Sequence, residues 1–176
     1  MIEALAIPGA FRIDGRLARD QRGAFRKVFD AAADDIPTEF RELTEVAISH
    51  NSRAGTVRGL HWQADPLGQT KVVWAASGRL LDVLVDVRPG SAAYGSWLSI
   101  ELSSEEAGAV LIPTGVAHGF QTLDDATSVV YLMKGAHAAA SARTLRWDDP
   151  AVGVHWPLPV SVISDNDRAG TAWPVS

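Results

Sequence analysis

Apolar and polar residues alternate with a period of two through the middle of the chain. Leu81, Val83, Val85 and Val87 alternate with Asp82, Leu84 and Asp86, a pattern that predicts a strand buried on one face. Leu98, Ile100 and Leu102 alternate with Ser99 and Glu101 in the same way. Shorter apolar runs at 70–75, 109–112 and 128–133 predict further strands. Turn signals separate them: Ser77-Gly78, Arg88-Pro89-Gly90, Pro113-Thr114-Gly115 and Asp124-Asp125. Short strands recurring at roughly ten-residue intervals predict an antiparallel sandwich or barrel. Helical signals are weak and peripheral. Residues 30–35 and 103–108 each predict a turn or two, the second opening on Ser103-Ser104-Glu105-Glu106, where hydroxyls can cap and acids fill the first turn. The stretch 136–143 is alanine-rich but too short to stand as an element. No repeat, linker or composition break interrupts residues 1–176, so one all-β domain is expected.

Composition narrows the functions that such a fold could carry. With 176 residues, 47% of them apolar, the chain is long enough to bury a core. Its six Trp suit core packing or the lining of an interface. A formal charge of -5 leaves no basic footprint for nucleic acid, although a few local Arg and Lys can still hold a phosphorylated small ligand. The absence of Cys excludes disulfides, thiolate metal ligands and cysteine nucleophiles. Met1-Ile2-Glu3-Ala4-Leu5 has an early acid and no basic stretch, unlike a secretory signal, and no apolar run reaches membrane-spanning length. A soluble cytoplasmic protein, without membrane contact, is the expectation.

The five His are His50, His61, His118, His137 and His155. His61 falls in Gly55-Thr56-Val57-Arg58-Gly59-Leu60-His61-Trp62-Gln63, and Lys71 follows. Arg58 offers a fork of donors suited to phosphate, His61 can accept a proton near neutral pH, and Lys71 can face developing negative charge. Such a trio reads equally as a solvated strand edge. His118 sits in Ile112-Pro113-Thr114-Gly115-Val116-Ala117-His118-Gly119-Phe120, where a satisfied core histidine is the plain alternative. Tyr131, in Val129-Val130-Tyr131-Leu132-Met133, reads by itself as packing. Asp82 lies among valines and leucines, so if buried it needs a partner, and a His is the obvious one.

Together these blocks resemble the dTDP-4-dehydrorhamnose 3,5-epimerase family. The likeness runs from Arg22-Gly23-Ala24-Phe25 to Ile163-Ser164-Asp165-Asn166-Asp167. Its most specific parts are 55–63, 78–88 with Tyr94-Gly95-Ser96-Trp97, 112–120, and Arg146-Trp147-Asp148-Asp149-Pro150. The resemblance implies a cupin-type jelly-roll barrel with short peripheral helices, a homodimer, and no metal or organic cofactor. It implies His61 as general base, Asp167 as the acid orienting its imidazole, Tyr131 as general acid on the opposite face of the sugar, and Lys71 near the C4 oxygen. Arg58 and the His118–Asp82 dyad would bind substrate, Arg22 would reach the nucleotide, and Phe25, Gln63 and His137 complete the substrate-binding set. The substrate would be a nucleotide-diphospho-4-keto-6-deoxyhexose. Cupins that bind metal usually have two close His on one strand; here Trp62 and Gln63 follow His61, so a metal-free site is expected.

The chain departs from the pattern of the family it resembles at positions that commonly contact the nucleotide there. His137 stands where a Tyr stacks on thymine, Ala142 and Lys27 replace acids, Val46-Ala47-Ile48 replaces Gln-Asp-Asn, and Asn166 replaces a Lys. The proton-transfer set is spared. Three rival readings are a sugar-nucleotide 3,4-ketoisomerase sharing the same enolate, a non-catalytic sugar-nucleotide-binding cupin, and a metal-dependent cupin oxygenase. The presence of both His61 and Tyr131 favours the epimerase.

Overall fold

A computed structural model describes residues 1–175. Thirteen strands follow one another: β1 (Ile2–Ala4), β2 (Phe11–Asp14), β3 (Arg16–Asp20), β4 (Gly23–Lys27), β5 (Glu45–Asn51), β6 (Val57–Gln63), β7 (Thr70–Ser77), β8 (Arg79–Asp86), β9 (Trp97–Ser103), β10 (Gly108–Ile112), β11 (Val116–Thr122), β12 (Thr127–Lys134) and β13 (Ala142–Thr144). A six-stranded sheet in the order β1-β2-β10-β7-β12-β5 faces a five-stranded sheet in the order β13-β6-β11-β8-β9, and β3 and β4 form a separate hairpin. All pairings between these strands are antiparallel. From β5 to β8 and again from β9 to β13, successive strands alternate between the two sheets, as in a jelly-roll barrel. Among the described residues no helix is long and apolar enough to cross a membrane.

The core lies between the sheets. Val73, Leu80, Leu84, Ile100, Leu102, Val110, Ile112, Val116, Phe120 and Val129 meet there, each from the inward row of its strand. The pattern in β8 predicts one buried face, and the structure corrects this. Leu80, Asp82 and Leu84 point into the barrel, while Val83 and Val85 are equally buried on the outside. Their cover is the C-terminal segment, which lays Leu145, Val152, Trp156 and Trp173 over the outer face of the five-stranded sheet. A strand sandwiched on both sides loses the polar alternation that exposes one face.

The helices expected at 30–35 and 103–108 are turns. Asp30 and Ser103 spend their side-chain oxygens on the N–H groups of Ala32 and Glu105, and this local bonding competes with helix propagation. The α-helix described is instead α1 (Asp165–Arg168), capped by the Ser164 hydroxyl, with a single 3-10 turn at Thr38–Phe40. The alanine-rich stretch leads into β13, which pairs with the free edge of β6.

One crossing shapes the barrel end. β6 holds an extra residue relative to β11, because His61 faces His118 while Arg58 faces Phe120. At this bulge Gly59 has φ +115°, and a Cβ there would lie 2.5 Å from Gly119 Cα and 2.7 Å from the His118 carbonyl oxygen. A Cβ at Gly119 would in turn meet the Arg58 carbonyl at 2.6 Å. The obstacles are backbone, so neither clash can relax by a side-chain rotation. Gly59→Ala is therefore expected to destabilise the fold by about 2–5 kcal/mol, summing overpacking and backbone strain. Urea unfolding measures this, and a change within about 0.5 kcal/mol, the range of an ordinary surface substitution, would show that the strands separate freely.

Candidate active site

The bulge decides what the barrel end presents. Arg58 and His61 are three apart, so a regular strand would send them to opposite faces. The inserted residue brings both into one cavity of about 300 Å³, whose wall also includes Lys71, His118, Phe120, Tyr131 and Met133. Arg58, His61 and His118 come from the five-stranded sheet, and Lys71 and Tyr131 from the six-stranded sheet opposite.

His61 is fixed from behind. Its Nε2 lies 2.6 Å from Asp167 Oδ1, and Asp167 Oδ2 accepts the Gly59 N–H at 3.3 Å. Asp167 is held by α1, where its own N–H donates to the Ser164 hydroxyl at 3.1 Å. Burial opposes ionisation of Asp167, but hydrogen bonds from His61, Gly59 and Ser164 outweigh it and keep the carboxyl below its ordinary range. The imidazole itself remains partly open, with 42% of its side chain exposed.

His118 has a similar partner in a dry setting. Its Nε2 lies 2.6 Å from Asp82 Oδ1, with both residues buried. No described protein group hydrogen bonds to Asp82 Oδ2. The Tyr131 ring packs edge-on against the His118 ring, centroids 6.1 Å apart. Burial pushes the Tyr131 phenol above its ordinary pKa and the Asp82 carboxylate adds to the shift, while Arg58 and Ser49 oppose it. Tyr131 is thus a firmly protonated donor at neutral pH. Burial pushes Lys71 down to about 8, with Asp82 drawing it the other way.

The structure therefore gathers seven of the residues singled out from sequence. Arg58, His61, Lys71, His118 and Tyr131 line the cavity, and Asp82 and Asp167 stand behind the two imidazoles. Four others lie elsewhere in this chain. Arg22 and Phe25 sit on the exposed β3–β4 hairpin, Arg22 paired with Asp20 and Phe25 72% exposed. His137 is exposed on the loop after β12 and does not line the cavity. Gln63 is buried, and its amide is consumed by Leu67 and Ala136 carbonyls and by the Ala138 N–H, which argues against the substrate contact expected of it. Lys27 pairs with Asp30 away from the cavity. Of Val46-Ala47-Ile48, Ala47 and Ile48 reach the wall, Ile48 while still 56% exposed, and Val46 lies outside it at 63%.

Sequence reading missed Ser49 and Asn51. Ser49 lines the cavity, and Asn51 accepts the Arg58 Nε–H at 2.8 Å. No strand is expected from the sequence at 45–51, and nothing in a small polar residue marks which face meets a ligand. Among the described residues no group of three or more His, Asp or Glu is placed to hold a metal ion.

Two facing sheets, with an oriented histidine on one wall and a protonated tyrosine on the other, make a jelly-roll protein equipped for proton transfer at both faces of a bound ligand. The chain belongs to the dTDP-4-dehydrorhamnose 3,5-epimerase family, whose model matches residues 4–174. It is 40% identical to a dTDP-4-dehydrorhamnose 3,5-epimerase of Sinorhizobium fredii, over 95% of this chain and 86% of that protein. Its fold superposes with a TM-score of 0.89 on a Bacillus anthracis dTDP-4-dehydrorhamnose 3,5-epimerase with TDP and pyrophosphate bound, at 29% identity and 98% coverage of both chains. A 3'-monoepimerase from Streptomyces bikiniensis in complex with dTDP-quinovose is 30% identical, with a TM-score of 0.85 over 96% of this chain and 85% of that one.

The lowered Lys71 pKa gives a signed prediction. A cation whose folded pKa lies below its unfolded value destabilises the fold wherever it is charged, and the penalty fades as pH rises from about 8 toward 10.5. Lys71→Met should therefore raise the melting temperature at pH 7 by a few degrees, with the advantage shrinking by pH 10. Calorimetry at the two pH values checks this, and a variant less stable than wild type at pH 7 would show that Lys71 is better accommodated than its burial implies.

Proposed function

We propose that the chain epimerises a nucleotide-diphospho-4-keto-6-deoxyhexose at C3, C5 or both, through an enolate, in deoxysugar biosynthesis. The observation that carries this reading is the placement of His61 and Tyr131 on opposing sheets of one cavity, with Lys71 on the same wall as Tyr131. A sugar ring held there offers one face to each. With Nε2 engaged by Asp167, Nδ1 of His61 is the nitrogen free to accept a proton from the carbon beside the ketone. The C–H electron pair moves into the enolate, whose oxygen meets the Lys71 ammonium. The electrons then return to carbon, which takes the Tyr131 proton on the opposite face, and the configuration inverts. The tyrosinate is costly in this setting, so it regains a proton from solvent as His61 releases one. Arg58 and His118 hold the substrate, and Asp82 fixes His118. No step requires a metal or an organic cofactor, so chelator-treated enzyme should keep its activity.

The reading extends to assembly. β5 is an edge strand on which Val46 and Ile48 are 63% and 56% exposed. The β3–β4 hairpin likewise projects Phe25. A homodimer would cover such surfaces, and it would let Arg22 and Phe25 act on the nucleotide in a partner's cavity rather than in their own. As an enzyme of a soluble nucleotide sugar, it would work in the cytoplasm.

Deuterated water distinguishes the two proton-transfer roles. His61→Asn should abolish deuterium incorporation at the carbons flanking the ketone while the fold persists. Tyr131→Phe should retain part of the exchange but lose inversion by about a hundredfold or more, the usual weight of a positioned acid. Exchange at the wild-type rate in His61→Asn would overturn the assignment of the base. Equal loss of exchange and inversion in Tyr131→Phe would overturn that of the acid.

The same assay with sugars linked to dTDP, UDP, CDP and GDP addresses the nucleotide. With His137 exposed and Lys27 engaged by Asp30, this chain is expected to discriminate among bases less than its family does, or to prefer one other than thymine. A strong preference for dTDP in kcat/KM would show these departures to be silent.

A further inference from the structure

Arg58 is the exposed guanidinium of the cavity wall, and it is held through Nε alone, whereas Arg26, Arg41 and Arg143 give terminal nitrogens to backbone carbonyls and other arginines meet carboxylates. Arg22, Arg79, Arg88 and Arg146 are each gripped by carboxylates, of Asp20, of Asp124 and Glu101, of Asp86 and of Asp148 respectively. Their charge is spent inside the protein. Arg58 makes no ion pair among the described residues, and its one hydrogen bond runs from Nε to Asn51 Oδ1 at 2.8 Å.

Asn51 is placed for this and little else. It ends β5, is 3% exposed, and lies opposite Thr127 in the sheet. Its Nδ2 donates to the Thr127 carbonyl at 3.0 Å and the Ser49 carbonyl at 3.3 Å. Those bonds fix which way the amide faces, so the oxygen must point at β6. That oxygen also receives the Ser49 hydroxyl at 3.3 Å. β5 belongs to the six-stranded sheet and β6 to the five-stranded one, so the Asn51–Arg58 bond spans the two sheets beside the cavity.

A long exposed side chain loses rotamer freedom when it binds a ligand, and a contact that orders it beforehand removes part of that loss. An uncharged acceptor does this without competing for the charge, whereas a carboxylate at the same place would form the ion pair seen at Arg22, Arg79, Arg88 and Arg146. Gripping Nε leaves the two terminal nitrogens as a fork for a phosphate or another anion.

We propose that Asn51 is a positioning residue for substrate binding: it holds Arg58 through Nε with a neutral acceptor, so that both terminal guanidinium nitrogens meet the anionic part of the ligand with their charge unspent. The proposal rests on the reading of the ligand as a nucleotide-diphospho-sugar, and its test separates the two.

Binding of dTDP by calorimetry is compared in wild type, Asn51→Ala, Arg58→Ala and the double variant, with melting temperatures for all four. Asn51→Ala should weaken dTDP by about tenfold when Arg58 is present and by less than about twofold when it is absent, the non-additivity expected of one residue acting through another. Equal weakening in both backgrounds, or none in either, overturns the proposal, since a merely structural Asn51 would act without regard to Arg58. Asn51→Asp should bind no better than Asn51→Ala; wild-type affinity there would overturn the need for a neutral acceptor. In the free protein, the Arg58 Nε–H resonance, identified by its loss in Arg58→Lys, should exchange slowly with solvent in wild type and rapidly in Asn51→Ala. Unchanged exchange also counts against the proposal. If wild type fails to bind dTDP, the nucleotide reading falls, and the same cycle run with pyrophosphate decides the role of Asn51.

Discussion

The contents of the cavity depend on how closely β6 and β11 approach at Gly59 and Gly119. Two strands with side chains at that crossing could not come together, and the extra residue of β6 would have nowhere to go. The bulge has two effects at once. It restores Arg58 and His61 to the same face, and it turns the Gly59 N–H toward Asp167, where it helps to seat the carboxylate that grips the imidazole. Backbone geometry at one glycine thus supports both the orientation of His61 and the presence of Arg58 beside it.

The two walls divide the chemistry between them. The five-stranded sheet supplies imidazoles and a guanidinium, and the six-stranded sheet supplies an ammonium and a phenol. A flat sheet could present the same groups only to one side of a ring. Facing sheets address both sides, which is what inversion at carbon requires. Asp82 lies beneath this arrangement, bonded to His118 and exerting its charge on both Lys71 and Tyr131. That carboxylate favours a charged lysine and disfavours a tyrosinate, so it supports the protonated state of each.

Much of the barrel was legible in the sequence, since period-two alternation marks a strand with one wet face, as in β9. β8 was found but misjudged, because its outer neighbours are Trp and Val residues of an irregular segment with no period of its own. The helix α1 was hidden for a related reason, as four residues are too few to show a helical repeat. In the site, residues embedded in distinctive blocks, such as His61 and His118, were recoverable. Gln63 has a spacing that fits a ligand contact as well as a structural one, and in this chain its amide is engaged by three loop groups. Arg22 and Phe25 stand apart because a hairpin's destination is a matter of assembly, which a single chain's pattern does not encode. Asn51 carries no motif, and only its bonds across the sheets reveal it.

Asp167 reaches His61 from 106 residues further along the chain, on a segment that crosses the outside of a sheet whose strands precede it. During synthesis the barrel strands therefore leave the ribosome well before the carboxylate that orients the imidazole. A nascent chain has no aligned base until the stretch bearing α1 docks, with the Trp173 N–H anchored on the Asp149 carboxylate at 2.8 Å. Competence for proton transfer is thereby tied to the docking of a segment remote in sequence, the same one that covers Val83 and Val85 on the outer face of the sheet.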